Sequence, residues 1–458
     1  MHLFSQAPER LHLPRPDPLP AAPAALLSQL YAIATAAVDP GPALARRLRT
    51  LRPVGNRPPW VIALGKAALP MAQAAVATLR ERGLDPAGGL VVAPASAPPP
   101  HPAIPVVVGD HPEPAGGSLA AARALAEVAA KAASGGEVWV LLSGGTTSLL
   151  GAPVDGIAPA DLSRIYALLL GSGLDITAMN RIRKRFSRWG GGRLALALAP
   201  APVRVYIVSD VIGDDLASIG SGPCVPDPAT AGEVRALLEQ AGLWEQFPEA
   251  ARRQVREAAA GRMAETPKPG DQAFARVTLE LIASNGLALE AAAKRAAELG
   301  LAPVVSTTPL AGEASAAGAS VAAILLQDCA ARDIPQPERR RCYIWGGETT
   351  VTLGPSPSGL GGRCQELALA AARDLAGAPA GLALLAAGTD GRDGPTDAAG
   401  AIVDGSTWAA VTAAGRDPAR DLARHDAYRA LDAAGVLLRP GLTGTNVMDV
   451  VIGVCGSG

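Results

Sequence analysis

Five short apolar runs in this chain stop abruptly at glycine or at a charged or hydroxyl side chain, and this recurrence constrains the fold most. WVIALGK (60–66) stops at Gly65-Lys66 and VWVLLSGG (138–145) at Ser143-Gly144-Gly145. VYIVSD (205–210) stops at Ser209-Asp210, CYIWGGE (342–348) at Gly346-Gly347-Glu348, and LLAAGTD (384–390) at Gly388-Thr389-Asp390. Runs of this length, apolar throughout and bounded by glycine, read as strands buried on both faces of an α/β sheet. Open α/β sheets bind ligands outside the carboxyl ends of their strands. Five strands that all finish this way point to one large polar cleft.

The last run carries the most chemistry. Asp390, Asp393 and Asp397 follow it, spaced by Gly391, Gly394 and Pro395. Glycine and proline forbid a helix here, so the carboxylates sit on a tight loop. Such a cluster suits Mg²⁺, or a substrate hydroxyl that must lose a proton. Capping of local turns is the alternative reading.

Between these runs, helical stretches alternate with strands. A helix over 26–48 is broken at Asp39-Pro40-Gly41. Strands are expected at 60–65, 90–93, 104–109, 138–142 and 203–208, and helices at 68–82, 118–133, 160–170, 180–198 and 229–260. After the Pro/Gly-rich segment 266–270 a second alternation starts. Its strands fall at 276–283, 303–306, 342–345, 382–386, 401–403 and 450–454, and its helices at 286–299, 313–331 and 365–375. The expectation is a two-domain α/β protein. A Pro-rich extension (1–25) precedes a doubly wound, mostly parallel, Rossmann-like domain (26–270). A smaller α/β domain (271–458) follows, with the active site in the cleft between them.

Composition bounds the partners. The 458 residues are 49% hydrophobic but only 3% aromatic, so Ala, Leu and Val build the cores. The net charge of −1 argues against a nucleic-acid or anionic-membrane surface. No apolar run reaches the roughly 20 residues of a membrane span. The N-terminus lacks the apolar core of a signal peptide, which points to the cytoplasm. Partners are therefore expected to be small molecules, with a homodimer left open. The five cysteines form no CxxC pair and the five histidines no HExxH, so no disulfide framework or His-ligated metal is expected. Only five of the 41 basic residues are lysines. Lys66 and Lys184 lie among glycine-rich motifs, where a compact ammonium differs in use from an arginine.

The remaining motifs fit anion chemistry. Ser143, Gly144 and Gly145 offer backbone amides and a hydroxyl to a phosphate or carboxylate. Asn180, Arg183 and Lys184 share one helix face. Arg363 follows Gly361-Gly362 at a helix start, suited to a phosphoryl group. Asn446 and Asp449 lie on a polar loop before the last apolar strand. No GxxxxGK[ST], GxSxG or strand-linked GxGxxG is present, which leaves a nicotinamide site without support.

Taken in order, GKAALPMA, DHPEP, LLSGGTTSLL, NRIRKRFSRWGGGRLA, SDVIGDDLASIGSGPCVPDPAT, GGETTVTLG, GLGGRCQELALAAA, GTDGRDGPTDAAGAIVDG and TGTNVMD closely resemble the glycerate 2-kinases. Some members of that family carry an older hydroxypyruvate-reductase label. The match runs from about Leu26 to Val454. The resemblance implies ATP-dependent, Mg²⁺-assisted phosphorylation of D-glycerate at its 2-hydroxyl, in a cleft between two α/β domains. It carries the family's essential lysine to Lys66 and its essential arginine to Arg363. The chain departs from the family pattern at Thr146-Thr147-Ser148 (Gly-Ser-Ala is usual), at Gly190 (Lys) and at Cys364 (Asn).

On this reading Lys66 and Arg363 grip the transferred phosphoryl. Asp210, Asp390 or Asp393 holds Mg²⁺, with Asp210 or Asp390 as acceptor of the hydroxyl proton. Ser143, Gly144, Gly145, Asn180, Arg183, Lys184, Glu348 and Asn446 bind substrate or phosphate. The rival readings are an NAD(P)H-dependent hydroxypyruvate reductase and a non-catalytic sugar-acid binding protein.

Overall fold

The computed structural model describes residues 22–51, 57–330, 340–354 and 359–455. Twelve strands form among them: β1 (Trp60–Leu64), β2 (Gly88–Ala93), β3 (Val106–Val108), β4 (Val138–Leu142), β5 (Val203–Val208), β6 (Val277–Ala283), β7 (Ala302–Val305), β8 (Arg341–Gly347), β9 (Ala383–Gly388), β10 (Gly400–Asp404), β11 (Leu437–Leu438) and β12 (Asp449–Val454). The helices of the first half are α1 (Pro23–Ala37), α2 (Pro40–Thr50), α3 (Ala68–Glu81), α4 (Gly116–Ala132), α5 (Thr146–Leu149), α6 (Pro159–Leu170), α7 (Ile176–Phe186), α8 (Arg193–Leu198), α9 (Ala231–Gln240) and α10 (Glu249–Ala259). Those of the second are α11 (Asn285–Glu298), α12 (Ala314–Ala330), α13 (Arg363–Asp374), α14 (Thr407–Ala413), α15 (Pro418–Ala423) and α16 (Ala427–Ala433).

The first sheet is parallel throughout, in the order β3-β2-β1-β4-β5-β6. This is the doubly wound order, whose switch point lies between β1 and β4. Its strands are apolar on both faces because both faces are covered. Val61, Ala63, Trp139 and Leu141 enter one core, while Ile62, Leu64, Val138, Val140 and Leu142 enter the other. The second sheet, β11-β10-β9-β12-β8-β7, is mixed, with only β7 and β8 parallel. Its outer face packs on α12 and α13.

Two expectations about chain order are corrected. The strand read as opening the second unit, β6, is instead the edge of the first sheet, beside β5. Helix α1 leaves the first unit and packs on the second sheet. Tyr31 there donates to the Gly388 carbonyl at 2.7 Å, and Thr445 donates to the Val38 carbonyl at 2.8 Å. Leu26, Leu27 and Leu30 of α1 share one core with Ile344, Leu385 and Ile452. That core also holds Val61 and Ala63 of β1, so it spans both sheets.

The helix expected over 180–198 is two helices, α7 and α8. Gly191 and Gly192 have φ of 59° and 84°, which an α-helix cannot contain. The Arg193 guanidinium braces this break by donating to the carbonyls of Lys184, Arg185, Ser187 and Gly190. The stretch 229–260 likewise divides into α9 and α10, and α14 to α16 and β11 were not anticipated. The break between α1 and α2 falls where expected. Asp39 caps α2 by accepting from the Gly41 amide at 3.2 Å, with Pro40 at the first helical position. One cysteine pair is bonded, Cys329 of α12 to Cys455 after β12, with Cα atoms 6.1 Å apart. Their separation of 126 residues matches no local spacing rule. Among the described residues no helix is long and apolar enough to cross a membrane.

Candidate active site

The switch point of the first sheet is built around Gly65. Its φ is 115°, and a Cβ there would lie 2.3 Å from Ser143 Oγ. Only glycine lets the end of β1 approach the end of β4 this closely. The Ser143 hydroxyl locks the two ends together, donating to the Leu64 carbonyl (3.3 Å) and accepting from the Ala67 amide (3.0 Å). The Lys66 amide donates to the Gly144 carbonyl at 2.9 Å. The Lys66 side chain is thereby delivered, exposed, just ahead of α3.

Gly144 and Gly145 are spacers for side chains rather than free loop. A Cβ on Gly144 would lie 1.8 Å from Asp210 Oδ2. A Cβ on Gly145 would lie 3.2 Å from both Lys66 Cγ and His111 Cδ2. Lys66, His111 and Asp210 therefore converge on one glycine turn. Burial pushes the Asp210 carboxyl above its ordinary value, and Lys66 pulls it back only in part. Desolvation and then Lys66 push His111 down, against the opposing pull of Asp210.

The second sheet supplies the other half. Arg363 is the first residue of α13. Its Nε and Nη2 donate to Asp449 Oδ2 and Oδ1 at 2.6 and 2.9 Å, a bidentate pair. Its Nη1 lies 2.7 Å from Glu348 Oε1. The sheet register explains this meeting, because Asp449 at the start of β12 pairs with Gly347, one residue before Glu348. Burial alone would lower the Arg363 pKa, but Asp449 and Glu348 hold it above its ordinary value. They also offset the cost of a cation at a helix N-terminus.

Asp393 lies beneath this pair. Its Oδ2 accepts from the Gln365 amide at 2.7 Å, and a Cβ on Gly362 would lie 2.3 Å from its Oδ1. Burial pushes its carboxyl up to about 7, with the Gln365 amide pulling it back. Asp390 Oδ1 accepts from the Arg392 amide at 3.0 Å and lies near the same glycine, Gly388, as Asp449 Oδ1.

Glu348 joins the two halves. Burial raises its carboxyl above the ordinary range, Arg363 lowers it, and Asp449, Asp210 and Lys66 act on it in turn. The two sheets therefore present Lys66, Asp210, Glu348 and Arg363 to one electrostatic field.

Several expected site residues have other work. The Ser143 hydroxyl is engaged within the fold, so it is not the free donor that was expected. Asn446 Oδ1 accepts from the Met448 amide at 3.2 Å and shapes the turn in which Met448 has φ of 69°. Arg183 stacks 5.3 Å from the Tyr166 ring centroid. Burial lowers its pKa, with Tyr166 opposing. Asn180 and Lys184 are both buried. Lys184 faces Asp227 and Asp215, which counter the lowering of its pKa by burial. Asp210, Asp390 and Asp393 do not form a common metal group, and no three His, Cys, Asp or Glu side chains do so among the described residues.

One residue of the site was missed, His111, although it had a signal, since it follows β3 at the carboxyl edge of the parallel sheet. Asp449, singled out with Asn446 on the loop before the last strand, is the partner of Arg363.

Residues 26–256 match DUF4147, a domain of unknown function, and residues 341–449 match the MOFRL family. The chain is 39% identical to a glycerate 2-kinase of Pyrococcus horikoshii, over 86% of this chain and 87% of that one. It is 37% identical to a D-glycerate 2-kinase of Thermotoga maritima, over 86% and 90%. The crystal structure of a glycerate kinase from Thermotoga maritima superposes with a TM-score of 0.84 at 35% identity, covering 94% of this chain and 99% of that one. With its motifs in order along nearly the whole chain and both sheets matched, the chain belongs to the glycerate 2-kinase family.

Proposed function

We infer that the chain transfers the γ-phosphoryl of ATP to the 2-hydroxyl of D-glycerate, giving 2-phospho-D-glycerate and ADP. The observation that carries this reading is that Lys66 and Arg363 both act on the Glu348 carboxyl. They come from different sheets, and Glu348 couples them electrostatically. Phosphoryl transfer asks for positioning and charge neutralisation rather than covalent catalysis. Two cations delivered by different sheets supply both.

Lys66 and Arg363 neutralise the transferred phosphoryl. Asp210 accepts the hydroxyl proton, and its raised pKa makes it a better base near neutrality than an ordinary carboxylate. Asp449 acts through Arg363 by holding the guanidinium in plane. Mg²⁺, when bound, would neutralise charge on the phosphate oxygens, a role for which it commonly takes one or two carboxylates besides phosphate and water. Glu348, which pairs with Arg363, and Asp390, which shares the Gly388 turn with Asp449, are the carboxylates that would hold it. Closure of the two sheets over the substrates would exclude water and suppress ATP hydrolysis.

The reductase reading lacks support at the position where it needs it. The turn after β1 is Gly65-Lys66-Ala67, a tight joint to Ser143, and not the glycine loop that cradles a dinucleotide pyrophosphate. ³¹P NMR of the protein with Mg-ATP and D-glycerate tests the proposal. Growth of a 2-phosphoglycerate resonance with ADP is expected. A 3-phosphoglycerate product, or NADH oxidation by hydroxypyruvate without phosphoryl transfer, would refute it.

A further inference from the structure

Thr146-Thr147-Ser148, one of the places where the chain departs from the family pattern, carries three hydroxyls that take no part in the chemistry above. Two of them close on their own turn. Thr146 Oγ1 donates to the Ser143 carbonyl at 2.8 Å, and Ser148 Oγ donates to the Gly145 carbonyl at 3.0 Å. Thr147 reaches out instead. Its Oγ1 lies 2.8 Å from Ser221 Oγ, 74 residues along the chain. A second departure meets the same serine, since a Cβ on Gly190 would lie 3.2 Å from Ser221 Cβ.

Ser221 ends the loop that Asp210 begins. The sheet holds the start of this loop, where the Ser209 amide donates to the Ala283 carbonyl at 2.9 Å. Just before it, the β5–β6 register shifts between Ile207 and Val208. Such an irregularity bends a strand and re-aims the side chains beside it. Ile212, Gly213 and Asp214 of the loop line the crevice that holds Gly346 and Gly347 of β8. The return of the loop, 215–222, forms no strand, and Ser221 anchors it. Ser221 is buried and has φ of 63°, a conformation that a residue other than glycine keeps only where its surroundings impose it. Its carbonyl accepts from the Gly191 amide at 2.8 Å, its amide donates to the Ser218 carbonyl at 3.2 Å, and its hydroxyl meets Thr147. The preceding Gly220 passes so close to the turn that a Cβ there would lie 3.0 Å from Thr146 Cβ.

We propose that Thr147 and Ser221 are positioning residues, whose hydroxyl pair pins the returning end of this loop to the glycine turn and so fixes Asp210 against Gly144. The pair acts through Asp210. The inference rests on the kinase reading for what Asp210 does, whereas the pinning of the loop rests on geometry alone.

Thr147→Val keeps the shape of the side chain and removes its hydroxyl. Ser221→Gly removes the partner at a φ that glycine adopts readily. Each is expected to lower kcat about tenfold, as loss of one hydrogen bond would, with KM for ATP little changed. Thr147→Ser, which keeps the hydroxyl, should recover most of that loss. The double variant should be no slower than either single one, because both remove the same contact. Hydrogen exchange of the full chain without substrates reads the pinning apart from turnover. Amides over 211–222 should exchange about tenfold faster in Thr147→Val, while the global denaturant midpoint holds. Wild-type kcat in both single variants, additive losses in the double variant, or unaltered exchange over 211–222 would each overturn the inference. Phosphoglycerate formation at the wild-type rate by both variants would keep the kinase and sink the positioning role. Faster loop exchange in Thr147→Val, with no phosphoglycerate formed even by the wild type, would keep the pinned loop and sink the kinase.

Discussion

At the scale of single residues, the position of Lys66 depends on Gly65. Alanine there would meet the Ser143 hydroxyl at 2.3 Å and its carbonyl oxygen at 2.5 Å, at a φ that L-residues avoid. Gly65→Ala is expected to cost about 2–4 kcal/mol, read as a lower denaturant midpoint. Lys66→Ala should leave that midpoint unchanged, because the side chain is exposed, yet reduce kcat by about 10²–10³-fold or more. Near-wild-type kcat would refute its role. Asp449→Asn removes the charge that holds Arg363, so a loss in kcat/KM is expected that Asp449→Glu recovers in part. Asp210 sets a pH dependence. Its folded-state carboxyl lies above the unfolded value, so the base is lost as pH falls through that raised pKa. The acid limb of kcat/KM should therefore lie above the ordinary carboxylate value of about 3.9, and Asp210→Asn should abolish it along with most activity. The same shift means that ionised Asp210 costs stability as pH rises through its folded pKa. The Asn variant should then melt no lower than wild type at neutral pH.

At the scale of elements, strands and their ends were legible. Apolar runs closed by glycine, or by Ser209-Asp210 in β5, marked β1, β4, β5, β8 and β9, since a strand buried on both faces has no polar alternation to blur it. Lys66, Asp210 and Glu348 followed from those ends, and Arg363 from the glycine-rich start of a helix. The α7–α8 break was misread although Gly190, Gly191 and Gly192 announce it, because the basic helical periodicity on either side dominated the pattern. Ser143 reads in sequence as a ligand donor, whereas its hydroxyl joins β1 to β4. A strand-end serine looks the same in sequence in either role, and only its partners differ. Helix α1 carries an element-scale prediction. Leu30 is fully buried in the core that reaches the second sheet. Leu30→Ala is expected to cost about 2–5 kcal/mol by chemical denaturation, with KM for both substrates little changed.

At the scale of the whole molecule, the same core joins both sheets through α1 and α11. The two units should therefore unfold together. Trp139 reports on the first sheet and Trp345 on the second. Single-tryptophan variants retaining one or the other should give coincident denaturation curves that also match circular dichroism. Separate midpoints would show that the shared core does not couple them. By itself the sequence determined the α/β class and the strand ends, and placed Lys66 and Arg363 beside glycines at the start of helices, because these depend on local pattern and on spacing within one element. Only the tertiary structure decided that β6 closes the first sheet, that α1 crosses to the second, that Asp449 holds Arg363 and that His111 stands beside Lys66. Each of these joins residues far apart in the chain, and such pairings are selected by packing and by the satisfaction of buried charge, which no local pattern encodes.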